Sequence, residues 1–324
     1  MSKEIRKYDF ALSWPDVEDV PFINWLQREC KVRGMSFLQI HDGNVSRIIN
    51  KLDNREIIIS FLLDMNATYN IPDDLYAKLS YAVKDNDGTV LDDPDDAKVA
   101  IDKSITHFAF QKADIPTPFT IIIRNWQPDK FKLTKAQKEK LGRPFVIKPA
   151  NGFGRFGVVT DAVWNVKKIA EARKFNSGDN FLLQEKIEPV LFGEKLGWFR
   201  VYHIYNEVIP MWWHPVLGEY EHLTFKEMVK FKLFPVVQIT RKISQITRMD
   251  WFSTEIAFYK NGKNIMPSVI DYVNDQCDVD IQSQFRFAPP DHVVEHIAVK
   301  MVDSAWRMQN DLELHDHNRV WFAE

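Results

Sequence analysis

Short apolar runs alternate with longer amphipathic stretches over the first third of the chain. Residues 9–14 (Asp-Phe-Ala-Leu-Ser-Trp) and 35–40 (Met-Ser-Phe-Leu-Gln-Ile) read as strands. Residues 56–63 (Glu-Ile-Ile-Ile-Ser-Phe-Leu-Leu) read as a third, apolar throughout, as a strand buried on both faces would be. Between them Phe22, Trp25, Leu26 and Cys30 recur at helical spacing over 21–33, and Gly34 follows as a stop signal. Residues 45–52 and 73–83 have the same helical character, and 89–91 is a further short strand. Strands alternating with helices predict a parallel, layered α/β domain.

The pattern then changes. Asp92-Asp-Pro-Asp-Asp96 is a turn and helix-start cluster, and a helix carrying Lys103 is expected over 97–112. Ile115-Pro-Thr-Pro118 breaks it before a strand at 119–123. A polar helix is expected at 135–141, a helix at 163–175 and a strand at 181–187. Residues 198–214 are rich in strand formers, and helices follow at 223–234 and 241–249. Strands at 251–259 and 265–273 are joined through Asn261-Gly262, a strong hairpin signal. A closing helix spans 291–308, and the tail His315-Asp-His-Asn318 is polar.

Composition narrows the function classes. An apolar fraction of 45% and a charged fraction of 27% suit a soluble globular protein. A net charge of −3 without a long Lys/Arg run gives no footprint for nucleic acid or an anionic membrane. No apolar stretch approaches the ~20 residues of a membrane helix. Cys30 and Cys277 alone do not suggest a disulfide framework. A cytoplasmic location is expected, and nothing opposes a homodimer.

Candidate chemistry concentrates in two stretches. Phe145-Val-Ile-Lys-Pro-Ala-Asn-Gly-Phe-Gly-Arg-Phe-Gly-Val158 is an apolar strand with one lysine, Lys148, running into a loop with Gly152, Gly154 and Gly157. Glycines let backbone N–H groups approach phosphate oxygens, and a lysine adds positive charge. The ordinary alternative is an edge strand with Lys148 in water. The loop lacks a P-loop's GKS/T ending, and its lysine precedes the glycines rather than following them. The second stretch, Phe181-Leu-Leu-Gln-Glu-Lys-Ile-Glu188, is an apolar strand leaving through acceptors and a carboxylate.

Together these stretches resemble the ATP-grasp superfamily, over roughly 97–285, and within it the glutamate-ligase and D-alanine–D-alanine ligase groups. The resemblance implies an α/β ATP-grasp fold with a Rossmann-like pre-grasp domain at 1–96. A first ATP-binding part would span 97–188, and a C-terminal lobe with metal and acceptor sites 189–324. It implies ATP and Mg²⁺ as cofactors. Lys103 and Lys148 would bind phosphates, beside Gly152, Gly154, Arg155 and Gly157. Gln184, Glu185, Lys186, Ile187 and Glu188 would form the adenosine hinge, with Glu188 or Glu194 on the ribose. Arg200, in Trp198-Phe-Arg-Val-Tyr-His-Ile204, would neutralise the transferred phosphate.

For the metal the superfamily uses an acid on one strand, then an acid and an Asn on the next. Here Glu255 is followed by Asp271 and Asn274. The usual spacing is acid, one residue, Asn, and Tyr272 falls where that acid would sit. Strand side chains alternate faces, so a bulge near Tyr272 is required, or Asp275 or Asp278 contributes instead. Two facing acids would repel, and removing one is expected to stabilise the metal-free protein slightly. His214, His222, Arg241 and Lys242, with the aromatics of 211–214, are candidates for an acceptor pocket.

The implied activity is an ATP-dependent ligation. A small-molecule carboxylate is activated as an acylphosphate, and an amine or thiol displaces phosphate. A kinase on the same fold and a non-catalytic nucleotide binder are the alternatives, the second favoured by the altered metal spacing.

Overall fold

The computed structural model describes residues 5–16, 20–127, 132–152, 156–163, 166–314 and 319–322. Its N-terminal part is built on a parallel sheet in the spatial order Phe37–Ile40, Phe10–Ser13, Phe61–Asp64, Thr89–Leu91. Phe10–Ser13 is buried at every position, which accounts for its apolar Phe-Ala-Leu, and the buried Ser13 hydroxyl donates to Asp64. The helices Pro21–Val32, Val45–Asp53 and Leu75–Asp85 connect the strands. Local chemistry sets their starts: Pro21 occupies the first turn of one, and the Asp74 carboxylate caps another by accepting from Ala77 N.

Two expected elements are each divided. The run 56–63 is not one strand but two, Ile57–Ile59 and Phe61–Asp64. Ile57–Ile59 pairs in parallel with Arg6–Tyr8, a strand the pattern does not reveal. At Ser60 the chain crosses between ladders: its N–H donates to Tyr8 O and its carbonyl accepts from Thr89 N. The expected 97–112 helix is also two, Pro94–Ala100 and Lys103–Lys112. Asp102 ends one and caps the next, accepting from Ser104 N and Ile105 N. Lys103 therefore opens a new helix, and its N–H donates to Ala150 O at 3.0 Å.

A second, antiparallel sheet follows in the order Thr120–Ile123, Phe181–Glu185, Phe145–Pro149, Val159–Ala162. It has its own core, with Phe145, Ile147, Phe181 and Leu183 against Leu141 and Ile169 of the covering helices.

The large sheet runs Tyr220–His222, Glu207–Trp213, Trp198–Ile204, Trp251–Asn261, Asn264–Asn274. The segment 198–214 is thus a hairpin, turning at Tyr205 with φ 51°. The Trp251–Asn261 and Asn264–Asn274 strands turn at Gly262, whose φ of 62° suits the glycine that the sequence places there. The helix expected at 241–249 begins earlier, as Phe234–Thr247, with Pro235 in its first turn. Arg319–Val320 adds in parallel to the start of the Glu207–Trp213 strand. The last helix, Asp291–Gln309, returns to the N-terminal part and packs on Pro21–Val32, with Arg33 paired to Asp303 at 3.2 Å. Cys30 and Cys277 are buried free thiols. Among the described residues no helix is long and apolar enough to cross a membrane.

Candidate active site

The small sheet meets the large one at Lys148. Its strand is buried on most positions, and Lys148 itself is only 7% exposed. The ammonium donates to Ile270 O of the large sheet at 2.8 Å and lies 5.0 Å from the centre of the Tyr272 ring. Burial pulls its pKa down to about 8, with Lys103 adding repulsion and Asp271 and Glu255 opposing the shift. Lys103, at the start of its helix, donates to Gly152 O at 3.2 Å and stands 3.7 Å from Asp271 Oδ1. Gly157 takes φ 74°, a left-handed conformation that suits glycine. Gly154 and Arg155 lie outside the described residues.

Arg200 faces Glu255 across neighbouring strands as a register partner. Its Nη2 lies 3.0 Å from Glu255 Oε1, and Nη1 donates to Ser253 Oγ at 3.3 Å. Trp213 supports the guanidinium from below, 4.8 Å from the ring centre. Trp198 Nε1 donates to the other Glu255 oxygen at 3.2 Å. Burial works against the Arg200 charge, but Glu255 more than restores it, and the pKa is raised.

Glu255 is in turn the register partner of Asp271. From Ser253 to Glu255 the opposite strand advances from Asn274 to Asp271, and from Glu255 to Ile256 it advances from Asp271 to Val269. Extra residues therefore sit on both sides of Asp271, one irregularity spanning Tyr272 and the other Ile270. This arrangement sets Asp271 opposite Glu255. The two acids do not face each other alone, because cations flank both. Burial disfavours Asp271 ionisation, but Lys103, Lys148 and Arg200 more than offset it and hold its carboxyl below the usual range.

Asn274 donates Nδ2 to Gln276 O at 3.0 Å and to Ser253 Oγ at 3.4 Å, leaving Oδ1 without a partner among the described residues. Two carboxylates and an amide oxygen form a hard oxygen donor set of the kind Mg²⁺ takes. Among the described residues no three His, Cys, Asp or Glu side chains cluster as a metal site, so this set rests on two acids. Burial raises both alternatives: Asp275 to about 6, with Asp64 adding to it, and Asp278 to about 6, with Asp280 adding. Asp278 Oδ1 accepts from Asp280 N, as in a local turn.

The hinge residues have other partners than a base. Gln184 is 2% exposed, and its Nε2 donates to Thr120 Oγ1 at 3.0 Å and Tyr272 OH at 3.1 Å. Tyr272 OH also shares a 2.6 Å hydrogen bond with His107 Nδ1, and the two rings stack. Burial, with Lys148 adding, takes His107 down to about 4, so this network is uncharged at neutral pH. Glu185 is clasped to Phe119 through both backbone and carboxylate. Lys186 pairs with Asp161 at 2.9 Å, Ile187 is buried, and Glu188 and Glu194 are exposed. In the sequence Tyr272 stood only as a gap in a motif. No local pattern linked it to His107, which is remote along the chain. Of the acceptor-pocket candidates, His222 instead joins a ring cluster with His292 and Trp321, 5.6 and 6.3 Å between centres. Trp212 and Trp213 are core residues.

No family model and no curated protein sequence matches the chain. Solved structures do. A RimK domain ATP-grasp protein from Sphaerobacter thermophilus is 15% identical, with a TM-score of 0.61 over 91% of this chain and 98% of its own. D-alanine–D-alanine ligase from Bacillus anthracis, complexed with ATP, is 13% identical, with a TM-score of 0.62 over 94% and 99%. The ATP-grasp ligase PsnB, complexed with its precursor peptide PsnA2 and AMPPNP, is 11% identical, with a TM-score of 0.58 over 94% and 99%. The small antiparallel sheet meeting a larger one at a buried lysine, behind a parallel N-terminal domain, is the ATP-grasp fold.

Proposed function

We propose that this chain is an ATP-dependent ligase that activates a small-molecule carboxylate and joins it to an amine or thiol. The observation that carries the reading is the gathering of Lys103, Lys148 and Arg200 around Glu255 and Asp271 where the two sheets meet. Phosphoryl transfer asks a protein chiefly for positioning and charge neutralisation, and three cations beside two acids suit that task. The solved structures named above as ligases, one with ATP and one with AMPPNP and a peptide, support the same reaction class. On this reading residues 1–96 are the pre-grasp domain, 97–188 the first ATP-binding part, and 189–324 the lobe with the metal and acceptor sites.

In this mechanism Lys148 exchanges the Ile270 carbonyl for a phosphate oxygen, and Lys103 binds phosphate from the opposite side. Arg200 stabilises charge on the transferred group, held in place by Glu255 and by the Trp213 ring. Glu255, Asp271 and Asn274 would hold Mg²⁺, which when bound screens the phosphate oxygens from one another. Because Gln184 is tied to Tyr272, the base would be read by backbone groups at the Lys186–Ile187 step. The bulges beside Asp271 set it opposite Glu255, which supports a catalytic reading over a non-catalytic binder.

The test is ADP release with Mg²⁺ across a panel of acids and amines. A ligase needs both substrates and yields a joined product. ADP formed on a hydroxylated substrate alone, with no joined product, would sink the reading in favour of a kinase.

A further inference from the structure

A cavity of about 320 Å³ opens away from these residues, at the joint between the N-terminal domain and the large sheet. That volume is at the lower end of small-molecule pockets, about 300–1,000 Å³. One wall is the Thr89–Leu91 strand, which ends the parallel sheet and, among the described residues, has no strand on its outer side. The other walls come from Asp92, Tyr205, Arg248, Asp250 and Met308.

The acidic groups around it outnumber the cations left free to pair with them. Lys84 is already neutralised by Asp93 at 2.8 Å and Asp95 at 2.6 Å, and Arg248 by Asp96. Asp92, 8% exposed, has no cation among the described residues, and burial, with Asp250 and Asp275 adding, raises its pKa well above the usual carboxylate range, a cost that a cationic partner would relieve. Its carboxylate accepts only backbone N–H groups, from Asp250 at 2.5 Å and Trp251 at 3.1 Å. Asp250, at the surface, adds a second carboxylate with no side-chain partner among the described residues. A further observation points the same way. Tyr205 lines the cavity at 4% exposure, and its hydroxyl has no hydrogen-bond partner among the described residues. A buried hydroxyl left unpaired costs free energy that a ligand's polar group would recover. The charges acting on that hydroxyl are those of Asp250 and Asp92.

We propose that this cavity binds a small organic cation, an aliphatic amine. Its ammonium would pair with Asp92 and Asp250 and bond the Tyr205 hydroxyl, and its carbon chain would lie on Val90, Leu91 and Met308. The site is separate from the nucleotide residues yet continuous with them in the sheet. Tyr205 follows the strand that carries Arg200, and Asp250 precedes the strand that carries Glu255. At about 3.3 Å per residue the two sites are ~16 Å apart.

The probe is 1,5-diaminopentane, titrated calorimetrically into the full chain, with 1,5-pentanediol as the uncharged control. Saturable one-to-one binding of the diamine, not of the diol, is expected, and it should persist with saturating AMPPNP. Asp250→Asn and Tyr205→Phe should each weaken it at least tenfold. Tyr205→Phe deletes one oxygen and carries the test if the other variant fails to fold. In the wild-type chain, amide exchange at 88–93 and 248–251 should slow with the diamine. Absence of saturable binding, displacement by AMPPNP, or full affinity in a folded Tyr205→Phe or Asp250→Asn variant would overturn the proposal.

Discussion

Lys148 Nζ donates to the main-chain oxygen of Ile270 at 2.8 Å, so a charge from the small sheet is seated on the backbone of the large one. A carbonyl is a weak partner for a buried ammonium, and a phosphate oxygen is a strong one. Lys148→Ala is therefore expected to leave the fold intact and weaken ATP binding by about 1.5–3 kcal/mol, the scale of a charged hydrogen bond. Unchanged affinity in a nucleotide titration of the folded variant would remove Lys148 from the site.

The depressed pKa of Lys148 gives a pH dependence of known sign. Its folded value is about 8, against about 10.4 for an unperturbed lysine. Between these values the unfolded chain holds a proton that the folded chain has released, so this residue's contribution to stability rises with pH across that window. Phosphate binding needs the ammonium and runs the other way. Wild-type affinity for ATP should fall as pH rises from 7 to 9.5, and Lys148→Met should lose that dependence. A wild-type affinity that stays level over the same interval would contradict the assignment.

Glu255 answers to Arg200 before any metal. Replacing it by Gln leaves a buried guanidinium without its carboxylate, which typically costs roughly 3–5 kcal/mol. The pair keeps slight solvent contact, with side-chain exposures of 15% and 11%, so the lower end is expected. Glu255→Gln should thus lower the denaturant midpoint of the metal-free protein and abolish turnover. A midpoint that rose would instead support repulsion between Glu255 and Asp271.

Tyr272→Phe deletes the oxygen shared by His107 and Gln184. Leaving buried polar atoms unpaired should destabilise the protein by about 1–3 kcal/mol. It also frees the Gln184 amide, so relative affinity for ATP over GTP should change. Chemical denaturation together with paired nucleotide titrations checks both parts. Stability and preference both equal to wild type would show that the network is idle.

Much of this molecule was legible in one dimension. The short apolar strand at Phe10–Ser13, the turn at Asn261-Gly262 and the lone lysine before a glycine loop each rest on local chemistry: a run of apolar side chains, a left-handed turn, a charge that needs an anion. Other features depend on remote groups and left no local mark. Ser60 divides an apolar run because Tyr8 and Thr89 claim its two backbone groups. Asp271 faces Glu255 because extra residues bulge on both sides of it, which a period of two cannot foretell. Gln184 is withdrawn from the hinge surface by Tyr272, 88 residues away. Hydrophobic periodicity records which face of an element is buried. Which remote partner meets each buried polar group is decided only when the sheets pack together, because that pairing must satisfy every such group at once.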